Sequence, residues 1–128
     1  MSEQGYKKLE IRKLAREVTI EIHQMTLSQL PKFEMFETAS QIRRSSKSIR
    51  ANIVEGVGKK VWKADFLRHL TYALGSCDET VDHLETLFET KSLTDQETYV
   101  SLLETLDHLK RKLVNFTKAV ERGHESRR

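Results

Sequence analysis

One proline and five glycines in 128 residues leave too little punctuation for a strand-rich chain, whose many turns draw on those two residues. There is a single cysteine, Cys77, so no intramolecular disulfide can form. Its place on an apolar helix stripe predicts an inert small hydrophobe rather than a reactive thiol. No stretch approaches the ~18 apolar residues of a membrane span. The opening MSEQGYKKLEIRKL lacks the apolar core of a signal peptide, which reads as a soluble cytoplasmic protein. Aromatic residues are scarce on the basic segments, where only Tyr6, Trp62 and Tyr72 stand. That argues against base stacking as the main mode of any nucleic-acid binding, and for backbone or shape recognition.

Catalytic patterns are missing as well. No HExxH and no paired ExxH set of the di-iron kind occurs. The five histidines are scattered, and Asp65/His69, Glu79/His83 and Glu104/His108 read as i,i+4 surface pairs. Gly56-Val57-Gly58-Lys59-Lys60 lacks the first glycine and the hydroxyl residue of a phosphate loop, and it joins two helices. The expectation is a non-enzyme with no catalytic residue, no metal site and no cofactor.

What the chain does have is charge and helical periodicity. Charged residues make up 32%, which suits long helices with one wet face. The length fits one domain over 1–128. Met1 to Gly5 reads as a loose end. Ile11, Leu14, Val18, Ile22 and Met25 then form a stripe over 6–29, flanked by Leu9, Ile20 and Leu27 as if buried on more than one side. Leu30-Pro31 stops that helix, and Phe33, Met35 and Phe36 are expected to plug the end of the core. Thr38 with Gln41 suggests a capping box for a second helix over 38–57. Its stripe is Ile42, Ser46, Ile49, Ile53 and Val57, and Gly56/Gly58 end it through left-handed geometry. A third helix over 61–90 carries Phe66, Leu70, Ala73, Leu74, Cys77, Val81, Leu84 and Phe88. Trp62 and Tyr72 lie off that line, and Gly75 suggests a close helix crossing. Thr94 with Glu97 suggests a capping box for a fourth helix over 95–122, striped by Tyr99, Leu102, Leu103, Leu106, Leu109, Leu113, Phe116 and Val120; the tail 123–128 is expected to fray. Four long amphipathic helices with short links predict an all-α, antiparallel up-down-up-down four-helix bundle.

Gln41–Lys63 is the most informative stretch. It holds seven basic residues, Arg43, Arg44, Lys47, Arg50, Lys59, Lys60 and Lys63, against one acid, Glu55. The predicted topology gathers Lys7, Lys8, Arg12, Lys13 and Arg16 at the same lower end, with Arg68, Lys110, Arg111, Lys112, Lys118 and Arg122. From Asp78 to Asp107, by contrast, nine acids face Lys91 alone. A net charge of only +3 therefore hides a strongly polar molecule. Arg43 and Arg44 lie toward the acidic end, where ion pairs offer them another use.

The central piece Gln41-Ile42-Arg43-Arg44-Ser45-Ser46, running into Ser48-Ile49-Arg50-Ala51-Asn52-Ile53-Val54-Glu55-Gly56, resembles the 23S rRNA intervening-sequence (S23) protein family. Lys13-Leu14-Ala15, Leu30-Pro31 with Glu34 and Phe36, Phe66, and Gly75-Ser76 with Glu79 extend the resemblance over about Leu9 to Glu121. Members often carry Pro where this chain has Arg50, Trp where it has Arg12, and two alanines where it has Ser45 and Ser46. The resemblance implies a non-enzymatic bundle assembled as a ring-like homopentamer. Relatives include the accessory variability determinant of diversity-generating retroelements, a basic ring that binds nucleic acid and partners a reverse transcriptase during mutagenic copying of a template RNA. Asn52, Glu55 and Gly56 read as structural, a polar cluster fixing the turn between helices 2 and 3.

Together these readings predict a scaffold that presents Lys and Arg to the phosphates of RNA or an RNA/DNA hybrid. The expected contacts are Arg43, Arg44, Lys47, Arg50, Lys59, Lys60 and Lys63, with Arg12, Lys13 and Arg16 as a second group. The alternative is a structural or protein-interaction oligomer in which the arginines pair with acids of a neighbouring subunit.

Overall fold

A computed structural model describes residues 3–123, apart from the side chains of Glu3, Gln4 and Tyr6. Four helices follow one another: α1 (Glu3–Ser28), α2 (Thr38–Gly58), α3 (Lys63–Glu89) and α4 (Gln96–Gly123). A short 3-10 helix, Lys32–Phe36, lies between the first two. There are no strands among the described residues. Each helix packs on its sequence neighbours and α1 closes against α4, which makes an antiparallel four-helix bundle. Glu3 to Gly5 belong to α1 rather than to a loose end; the expected frayed residues 124–128 lie outside the described ones.

The core follows the predicted periodicity where that was apolar. Ile11, Val18, Ile22, Ile42, Ile49, Ile53, Phe66, Leu70, Leu84, Leu106, Leu113, Phe116 and Val120 are buried. Phe66 meets Phe116 edge to face at 5.8 Å, and Phe88 stacks flat on Tyr99 at 3.9 Å near the other end of α3. On α1, however, Leu9, Ile20 and Leu27 are exposed rather than buried against a second neighbour. A four-helix bundle covers only one stripe of each helix, and these three lie behind it.

The α2–α3 seam departs most from an aliphatic core. Ser45, Ser76 and Thr80 are buried there. On α3, Leu74, Val81 and Phe88 are only half-buried, while Ser76, Thr80 and Leu87 take the buried positions. Thr80 Oγ1 is hydrogen-bonded to Ser45 Oγ at 2.8 Å and to the Ser76 carbonyl at 2.7 Å. Ser76 Oγ donates to Ser48 Oγ at 2.8 Å. Asn52 Nδ2 donates to the Ser48 carbonyl and hydroxyl at 3.0 and 3.1 Å. That leaves Asn52 Oδ1 to accept from His69 Nδ1 at 3.2 Å. His69 is therefore tied into the seam, not paired with Asp65, which instead holds Arg68 at 2.7 Å. Short side chains let the two backbones approach, and each buried hydroxyl or amide found here has a partner, as burial requires.

Several local expectations are corrected. Gly56 and Gly58 do not adopt positive φ; none of the described glycines does. Gly56 is needed for space, since a Cβ there would stand 3.1 Å from the His69 Cβ and 3.5 Å from Phe66. Gly75 has open space around it, so no helix crossing explains it. The turn after α3 is instead made by Lys91 at φ 66, which lets Leu93 N–H reach the Leu87 carbonyl at 2.9 Å. Thr38 is no N-cap: Glu37, at φ −118 and ψ −124, holds that position between the 3-10 helix and α2, and its carbonyl receives Gln41 N–H at 3.1 Å. At α4 the cap is Asp95, not Thr94; its Oδ1 accepts from Glu97 and Thr98 N–H at 3.0 and 3.3 Å.

The α1–α2 connection is inverted relative to its expected packing. Phe33, Met35 and Phe36 face solvent, Phe36 at 88% exposure, while Glu34 is 4% exposed. Its Oε2 accepts from Ser92 Oγ at 2.5 Å, tying this connection to the α3–α4 link. Arg43 adds a second tie, donating to the Met35 carbonyl at 3.0 Å. Five residues wound as 3-10 helix cannot turn three apolar side chains and Glu34 to one side, and the anchored Glu34 decides which way they point.

Cys77 is fully buried, and burial pushes its thiol up to about 12. Asp78 adds to the rise and Lys110 opposes it. At pH 8 to 9 the native thiolate fraction is then about 1,000-fold below that of the unfolded chain. Labelling by a thiol reagent is expected to be slow in the native chain at pH 8 and fast in denaturant. Rapid native labelling, followed by mass spectrometry, would contradict this placement.

Candidate nucleic-acid interface

The lower end of the bundle, where α1 begins, α2 and α3 meet and α4 finishes, is rich in Lys and Arg, but ion pairing removes much of that charge from play. Arg68 pairs with Asp65, Lys110 with Asp78, Arg111 with Asp107, and Lys112 with Glu10 across α1 and α4. Lys59 lies 3.5 Å from Glu55 and 3.5 Å from His69 Nε2, so it belongs to the seam as much as to the surface. Lys63 Nζ donates to the Glu121 carbonyl at 2.7 Å, satisfying a carbonyl in the last turn of α4. Arg43 spends both ends of its guanidinium on Thr26 Oγ1 (3.1 Å) and the Met35 carbonyl. Neither partner is an acid, so the ion pairs open to it toward the acidic end are not what it makes.

The remaining predicted residues, Lys60 in the α2–α3 link apart, divide in two. Arg44 and Lys47 are exposed on the outer side of α2. Arg12, Lys13 and Arg16 from α1 and Arg50 from α2 come together, with Val54, around one cleft of about 260 Å³. Arg50 of the first predicted group thus joins the second group at one site, while the rest of the first group does not line the cleft. α2 passes Arg50 without interruption and so delivers its guanidinium to the α1 side. None of the four cations has an ion pair or hydrogen bond within the described chain, and no acid lines the cleft.

Lys8 extends this cleft and was not among the predicted contacts. It lies one helical turn, ~6 Å, before Arg12, near enough to Lys60 in the α2–α3 link for the two ammonium groups to repel. Burial first, and the Lys60 ammonium second, hold the Lys8 ammonium below the ordinary lysine range. The i,i+4 spacing of Lys8 and Arg12 was the available signal; the proximity of Lys60 was not readable without the fold.

The α3–α4 face carries the other sign. A second cleft, about 350 Å³, is lined by Asp78, Asp82, Glu85 and Asp107 with Lys110. Burial and then Glu85 and Glu89 push the Tyr99 hydroxyl above its usual value. Among the described residues no group of three His, Cys, Asp or Glu side chains is placed to hold a metal ion, and no helix is long and apolar enough to cross a membrane.

The family model described as 23S rRNA-intervening sequence protein matches residues 7–115. Among solved structures, the chain is similar to a protein of unknown function from the S23 ribosomal protein family of Bacteroides thetaiotaomicron. The two share 28% identity with a TM-score of 0.77, over 88% of this chain and 98% of that one. No curated protein matches the sequence.

Proposed function

We propose that this chain, which belongs to the 23S rRNA-intervening sequence protein family, is a non-enzymatic nucleic-acid-binding scaffold that grips phosphates through the α1–α2 cleft. The observation that carries this reading is the convergence of Arg12, Lys13, Arg16 and Arg50 on one acid-free cleft with no internal partners. Unpaired guanidinium groups from two helices are suited to bidentate phosphate contacts. They read no base, so the ligand class is structured RNA or an RNA/DNA hybrid recognised by its backbone. Arg44 and Lys47 continue the surface on α2, while Arg43, Lys59 and Lys63 support it from their structural positions. The resemblance to retroelement accessory proteins supports the finer part of the reading: a ring-like homopentamer serving a reverse transcriptase.

The test is a fluorescence-anisotropy titration of a structured RNA and a matched RNA/DNA hybrid at rising salt, with oligomer mass measured on the same sample. Log affinity is expected to fall linearly with log salt, with a slope of about −3 to −4 if the four cleft cations each meet a phosphate. Failure to bind at low salt by a well-assembled oligomer would remove the reading. A second reading is favoured by the acid-lined cleft on α3–α4, which offers a neighbouring copy a partner for the arginines. It predicts an oligomer that dissociates with salt and binds no nucleic acid.

A further inference from the structure

The chain has one tryptophan, Trp62, and it is half exposed in the most basic link of the molecule. Lys59, Lys60 and Lys63 surround it in sequence, with no acid between Gly56 and Ala64. Its indole makes no hydrogen bond or ring contact within the described chain. The backbone beneath it is nevertheless fixed. Trp62 N–H donates to the Lys59 carbonyl at 2.9 Å, and its own carbonyl accepts from Phe66 N–H at 2.9 Å. Phe66 is itself 1% exposed and packed on Phe116. Half of a large aromatic side chain is therefore held out to solvent on a fixed backbone.

We infer that the Trp62 indole is a stacking platform for an unpaired nucleobase, at the end of a cationic track running through Lys60 and Lys8 to the Arg12–Arg16–Arg50 cleft. Lys8, Arg12 and Arg16 follow at one-turn intervals of ~6 Å along α1, and the Lys60 ammonium is near enough to Lys8 to repel it. A basic groove that follows a phosphate backbone, ending at an aromatic face, is the arrangement by which proteins hold single-stranded segments. This inference rests on the phosphate-binding reading of the cleft and narrows it. The preferred ligand is a duplex with an unpaired end or bulge, its helical part on the arginines and its loose base on Trp62. Scarcity of aromatics on the basic surface fits this division, since one base needs one ring.

Because Trp62 is the only tryptophan, intrinsic emission reports on this position alone. The experiment uses the full chain with three RNA probes: a blunt duplex, the same duplex with a short 3′ overhang, and that overhang made abasic. Affinity is read by anisotropy of a labelled strand, and stacking by quenching of tryptophan emission. The overhang is expected to quench the emission and to bind roughly 5- to 100-fold more tightly than the blunt or abasic probes. Trp62→Leu is expected to erase that preference while keeping blunt-duplex affinity, and Trp62→Phe to restore most of it. Equal, salt-dependent binding of all three probes without quenching would overturn the stacking platform and leave the arginine cleft standing. No binding of any probe would overturn both. The wild-type comparison of intact and abasic overhangs decides the matter even where a variant folds poorly.

Discussion

Reversing Arg12, Arg16 and Arg50 together to glutamate is expected to weaken binding of a structured RNA roughly 500-fold in 0.1 M salt. Each phosphate contact contributes about 0.9 to the slope of log affinity against log salt, which is about 8-fold per contact at that concentration. Three lost contacts multiply to the stated figure before any repulsion from the new carboxylates is counted. The salt slope is expected to flatten by about 2.7 at the same time. The fold has no stake in these residues, because all three are exposed and unpartnered, so the helical circular-dichroism signal and the melting midpoint stay close to wild type. Lys59 is a poorer choice for reversal. A glutamate there would face Glu55 and disturb the contact with His69, mixing a structural effect with a binding one. Unchanged affinity in a folded triple variant would remove the cleft from the binding surface.

The largest effect on stability is expected from Phe66→Ala. Phe66 lies where three constraints meet: the edge of the Phe116 ring at 5.8 Å, the bare backbone of Gly56, and the first turns of α3 beneath the α2–α3 link. Truncation opens a cavity between helices already held apart by their backbones, so little collapse can fill it. The loss is expected to be about 3–5 kcal/mol, a large part of the ~5–15 kcal/mol available to a domain of this kind. Urea denaturation monitored by circular dichroism measures it. Phe36→Ala is the matched control: a phenylalanine 88% exposed, whose removal is expected to change stability by less than about 0.5 kcal/mol. A loss below about 1 kcal/mol for Phe66 would contradict the packing described.

The contrast between these two phenylalanines also shows where the sequence was legible. Stripes of Ile, Leu and Phe at steps of three and four placed the four helices, because burial of apolar surface dominates long periodic segments. Phe33, Met35 and Phe36 have no period to obey, and hydrophobicity alone pointed them inward. The deciding group was Glu34, whose bond to Ser92 joins residues 58 positions apart and leaves no local trace. Ser76 and Thr80 were passed over for a similar reason. A hydroxyl is buried only when its partner is present, and Ser45 and Ser48 sit on another helix. Gly56 was noticed for the wrong property, left-handed freedom instead of missing volume.

The candidate site was half legible. Charge bias named Arg50 and, separately, Arg12, Lys13 and Arg16, since Lys and Arg can be counted without a fold. What counting cannot do is subtract. Arg43, Lys59 and Lys63 look as available as Arg50 in the sequence, and only the bonds to Met35, Glu55 and Glu121 set them apart.

The acid-lined cleft on α3–α4 has a kinetic consequence. Charges of opposite sign held apart on a rigid bundle form a dipole, and a phosphate chain exerts a torque on it before contact. If the proposed function holds, the protein arrives with its arginines leading, so fewer collisions are wasted and association gains most at low ionic strength. On the proposed phosphate-binding reading, the same torque sets a polarity that persists in the complex. Chains bound side by side in that way would turn their acids toward bulk water, so that a second layer meets a negative surface.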